Sequence, residues 1–110
     1  MELRAAIQNL SEALLETPEF VNLKNAGLNV RKFPASARYL DGFLRKQEGL
    51  RHLRLPAGQM QAAIDDLDAE YQKLQAYPEL AGYFAALERF QDLVGEVMEQ
   101  VDARIEKNIR

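Results

Sequence analysis

The chain contains no cysteine and only one histidine. It also has no apolar run approaching the 18 or so residues that a membrane-spanning helix requires. The missing cysteine excludes disulfides, thiolate nucleophiles, the usual zinc fingers and iron–sulfur clusters held by thiolates. It also fits a reducing compartment. The first residues, Met1-Glu2-Leu3-Arg4, enter an amphipathic pattern at once. They lack the apolar stretch and small-residue cleavage site of a secretory leader, so a cytoplasmic protein without membrane insertion is expected.

What the chain does have is 110 residues that are 47% hydrophobic and 28% charged, an ordinary globular composition. That length predicts a single domain over residues 1–110. Such a domain buries only about two-thirds of its unfolded surface, so covering one more apolar stripe by association would help it. The net charge is −3. Lysine and arginine are in excess in the first half and acids in the second. An acidic whole with no concentrated basic face speaks against direct nucleic-acid binding.

Four prolines divide the sequence, and the apolar spacing between them is helical. Leu3, Ile7, Leu10 and Leu14 step by four, three and four residues and define one face of a first helix. Thr17-Pro18-Glu19 reads as a restart, with Thr17 as cap, Pro18 at the first helical position and Glu19 near the positive helix end. The second helix carries Phe20, Val21, Leu23 and Leu28, with Gly27 as a weak point inside it. Phe33-Pro34 marks the next break. A third helix is expected from Ala35, with Leu40, Phe43, Leu44, Leu50 and Leu53 on one side. Leu55-Pro56-Ala57-Gly58 reads as a loop. Met60, Ile64, Leu67, Tyr71 and Leu74 then form a heptad-like seam. After Tyr77-Pro78 a last helix over about residues 79–107 would be roughly 43 Å long. No segment alternates with period two, so the expected class is all-α, about five helices in an open bundle.

The groups able to carry chemistry are sparse. His52 stands in a basic helix end with no second histidine to share a metal, and neither Ser11 nor Ser36 sits in a nucleophile-elbow context. The acids Asp65, Asp66, Asp68 and Glu70 lack the glycine of a calcium loop and read as a solvated face. The glycines form no phosphate-cradling pattern. Residues 31–54 hold seven basic side chains against Asp41 and Glu48, interleaved with Phe33, Tyr39 and Phe43. The expected role of this basic segment is to pack against the acidic half of its own chain or of a partner. Tyr77, Tyr83, Phe84 and Phe90 recur at helical spacing and are expected in a core or interface. No catalytic, cofactor-binding or metal-ligating residue is assigned.

Three stretches carry a resemblance: Leu14–Leu23 (LLETPEFVNL), Phe33–Leu44 (FPASARYLDGFL) and Tyr77–Ile105 (YPELAGYFAALERFQDLVGEVMEQVDARI). In order and spacing they resemble the short first helix with its restart, the proline-initiated middle helix, and the aromatic pair with a long last helix of the YlbF/YmcA family. The resemblance implies a helical, oligomeric, non-enzymatic bacterial protein. Members regulate competence, sporulation and biofilm formation, some of them in a complex with YaaT that influences messenger-RNA processing. Complex-forming members carry cysteines tied to iron–sulfur clusters. This chain has none, so no cofactor carries over, and it is more similar to cysteine-free paralogues of the YheA type.

The last helix exceeds what a chain of this size needs for its own core. A homodimer, intertwined or bundle-forming, is therefore expected through Leu87, Phe90, Val94, Val97 and Val101. Sister family members or a YaaT-like protein are the other expected partners. Two rival readings are a mutase of the chorismate-mutase architecture using Arg4, Arg31, Arg38 and Lys46, and an RNA-binding helper.

Overall fold

A computed structural model describes residues 2–110. They form five helices: α1 (Leu3–Leu15), α2 (Pro18–Val30), α3 (Pro34–His52), α4 (Ala57–Leu74) and α5 (Pro78–Ile109). Among the described residues there is no strand. At 1.5 Å per residue the 32 residues of α5 extend about 48 Å.

Proline starts three of these helices at the position where its missing N–H goes unused. Thr17 joins the first two. Its hydroxyl donates to the Leu14 carbonyl at 2.7 Å and accepts from the Phe20 amide at 3.2 Å, so one side chain closes α1 and caps α2. Thr17→Ala should therefore cost about 1 kcal/mol of stability, read in urea unfolding, while Thr17→Ser keeps most of it.

Several boundaries differ from the sequence reading, and α5 runs from Pro78 to Ile109 where about 79–107 is expected. Pro34 itself opens α3, one residue before the expected start. Ala57 and Gly58, expected in the loop, are helical instead. Pro56 takes the cap position with extended angles (φ −53°, ψ 149°), and its carbonyl accepts the first helical bond from the Met60 amide at 2.9 Å. Gly58 keeps its backbone N–H and carbonyl for the helix, and its cost of about 1 kcal/mol against alanine is too small to delay the start. The connection runs through Leu53-Arg54-Leu55, and Leu53, expected on the α3 stripe, lies just past the helix end.

The chain packs as two compact units: the chain through Ala26 with Phe84–Arg110, and Gly27–Tyr83. The Gly27–Tyr83 unit holds most of the buried apolar side chains: Val30, Ala37, Leu40, Phe43, Leu74 and Leu80. Phe43 meets Tyr71 across α3 and α4 with ring centroids 6.0 Å apart, and Tyr39 meets Tyr77 at 5.6 Å. These aromatics of the basic segment are thus engaged in packing. Gly27 lies inside α2, where a Cβ would meet only Tyr83 Cε1 at 3.7 Å, an ordinary contact. Gly27→Ala should therefore stabilise the fold by about 1 kcal/mol, raising the midpoint of thermal unfolding.

Polar links reinforce the same unit. The buried Ser36 hydroxyl donates to the Glu79 carboxylate, tying the first turn of α3 to the first turn of α5. Arg31 grips Asp41 through two N–H donors at 3.0 and 3.1 Å. That hydrogen bond holds the Asp41 carboxyl below its usual range and raises Arg31 further. Both groups face water, so the pair fixes geometry more than it adds stability.

Candidate protein-interaction surface

The other unit is built from α1, most of α2 and the greater part of α5, and its apolar residues are poorly covered. Among the described residues only Phe84 and Ala86 are buried there. Phe20 of α2 and Phe90 of α5 meet edge-on with centroids 5.3 Å apart. Beyond that contact the apolar stripe of α5 opens to solvent.

The residues expected at an interface divide along this gradient. Phe90 contacts Phe20 of its own chain, and Leu87, Val94 and Val97 are half-buried. Val101 is exposed. The stripe continues through side chains that the sequence reading did not single out as contacts. Met98 is 48% exposed, Ile105 54% and Ile109 78%. Helical spacing from Val94 and Val101 already pointed to Met98 and Ile105, since steps of three and four recur without interruption.

In α1, Leu3, Ile7 and Leu10 are exposed and Leu14 is half-buried. The helix contributes no buried residue. An isolated helix of 13 residues is marginal in water, because helices in proteins owe most of their stability to a covered apolar face. The uncovered stripes on α1 and the α5 tail therefore belong to one compact unit that hides little of its apolar surface. Large exposed apolar faces on small proteins mark places where other proteins bind.

Several of the groups able to carry chemistry form local pairs. His52 Nε2 lies 3.0 Å from Glu48 Oε1 on an exposed helix turn. Asp65 accepts from Gln61 at 2.9 Å. Lys46 pairs with Glu70 at 2.9 Å, so the basic α3 does engage the acidic α4. Arg31 and Lys46, two cations of the mutase reading, are thus each held by a carboxylate, and that reading gains no support. Among the described residues no three His, Asp or Glu side chains converge as metal ligands. Nor is any described helix long and apolar enough to cross a membrane.

Comparison with known proteins gives one finding. The family model described as control of competence regulator ComK, YlbF/YmcA, matches residues 3–106. No curated protein and no solved structure matches the chain. The matched span includes all of α1 to α4 and α5 up to its final turn. Five helices in this order, a long last helix and a match over nearly the whole chain make this protein a member of the YlbF/YmcA family.

Proposed function

We propose that the protein is a non-enzymatic regulatory protein of the bacterial cytoplasm that acts by holding other proteins, itself first among them. Self-association runs along α5 through Leu87, Phe90, Val94, Val97 and Val101 and on through Met98, Ile105 and Ile109. The observation that carries this reading is the uncovered apolar stripe of the α5 tail, set beside an α1 that buries no residue. A second copy is the simplest cover, since a chain of this size leaves little stability to spare.

The process it regulates is competence, sporulation, biofilm formation or messenger-RNA processing, through sister family members or a YaaT-like protein. The family's description as controlling a competence regulator supports that direction. Sedimentation equilibrium at micromolar concentration tests the first step and is expected to give a mass above the 12.5 kDa of one chain. A purely monomeric protein would remove the self-association reading. Pull-down from a bacterial host with purified YaaT-like protein and sister members as defined probes tests the second, and retention of neither would end it.

A further inference from the structure

Helices α3 and α4 leave an open groove of about 470 Å³ between them. Its lining is Leu50, Leu53, Ala63 and Leu67, with Gly49 on one bank and Lys46, Asp66 and Glu70 along the rim. From Lys46 to Leu53 the groove runs about 10 Å at helical rise, room for two apolar anchors one turn apart. Nothing lies within 4 Å of where a Cβ on Gly49 would stand, so an incoming helix meets bare backbone there. Lys46 projects from the α3 bank and reaches Glu70, while Asp66 on the α4 bank has no hydrogen-bond or ion-pair partner among the described residues.

The tail of α5 has the matching pattern. Met98, Val101, Ile105 and Ile109 form its exposed apolar stripe. At 100° per residue, Asp102 and Glu106 fall along one edge of that stripe and Arg104 along the other. An antiparallel pairing of two such tails would set acidic edge against acidic edge, which costs binding. The groove offers the basic edge an opposite sign, since Asp66 stands on the α4 bank for Arg104, while Lys46 is already held by Glu70.

We infer that the α3–α4 groove receives the α5 tail of a second copy of the chain, with Val101 and Ile105, one turn apart, as candidate anchors. This rests on the self-association reading and names the surface that covers the tail. The lack of native cysteine makes the test direct. Gly49→Cys and Ile105→Cys are made in separate chains of different tag length, mixed, and oxidised mildly. The mixed disulfide is expected to dominate both self-linked products, since only seated partners bring the two Cα atoms within about 7 Å. Asp66→Lys in the groove chain should lower that product by about threefold, the size of an exposed ion pair, and Arg104→Glu in the tail chain should restore it.

Sedimentation of the same chains separates the two ways of failing. Association with Ile105→Cys linked only to itself would place tail on tail, overturning the groove assignment and keeping self-association. Association with no disulfide at either site would hand the groove to another occupant and overturn the assignment equally. Monomers throughout would remove both readings.

Discussion

Val101→Glu combined with Ile105→Glu is expected to give a folded chain that no longer self-associates at micromolar concentration. Both residues are exposed in the single chain, at 38% and 54%, so neither belongs to its buried core. Glutamate is a good helix former, so α5 should persist. Burying each original side chain in an interface is worth up to about 1.5–3 kcal/mol. The single chain already covers about half of the two side chains, so association adds about 1.5–3 kcal/mol in all and its loss lowers affinity roughly 10- to 100-fold. The new charges also join Asp102 and Glu106 in one acidic cluster. Sedimentation equilibrium reads the mass and far-ultraviolet circular dichroism reads the helix. Unchanged association with unchanged helicity would move the contact away from the α5 tail.

Leu80→Ala should act in the opposite way, on the fold and not on assembly. Leu80 is fully buried in the first turn of α5, within the Gly27–Tyr83 unit that also buries Val30, Leu40, Phe43 and Leu74. Removing a buried leucine side chain costs about 2–5 kcal/mol, because the cavity collapses only in part. Total stability of a small protein is about 5–15 kcal/mol, so this one change removes a large share. The thermal midpoint is expected to fall by about 10 °C or more. Leu28→Ala, at a position 59% exposed, serves as the control and should stay within about 0.5 kcal/mol. Similar midpoints for the two variants would show that Leu80 does not organise this unit.

Helices were the legible part of this molecule because their signals are local. Thr17-Pro18-Glu19 carries its cap, its proline and its acid within three residues, and the hydroxyl makes the bond that the spelling implies. The Val94-to-Ile105 stripe is likewise a matter of spacing along one chain. The start of α4 was harder. Pro56 and Gly58 are both loop formers in general, but one serves as a cap and the other sits in a first turn, where neither breaks a hydrogen bond. Sequence gives residue type and order, and the choice between cap and loop depends on where the next carbonyl and amide meet.

The apolar face of α5 was legible in kind and less so in detail. Spacing selected Leu87, Phe90, Val94, Val97 and Val101 as one face, but it gives every residue on that face the same weight. Only packing separates them: Phe90 is engaged by Phe20, whereas Val101, Met98, Ile105 and Ile109 remain open. The basic segment shows the same division of labour. Its charge excess is plain in the sequence, but that Arg31 meets Asp41, Lys46 meets Glu70 and Tyr39 meets Tyr77 depends on which helices lie side by side.

By itself, then, the sequence determined five helices, their proline starts, the cysteine-free chemistry and the long apolar stripe, since each is written in neighbouring residues. The tertiary structure alone decided which apolar side chains the chain covers and which it leaves in water. Burial depends on residues far apart in sequence, so periodicity can draw a stripe but cannot say whether anything already lies on it.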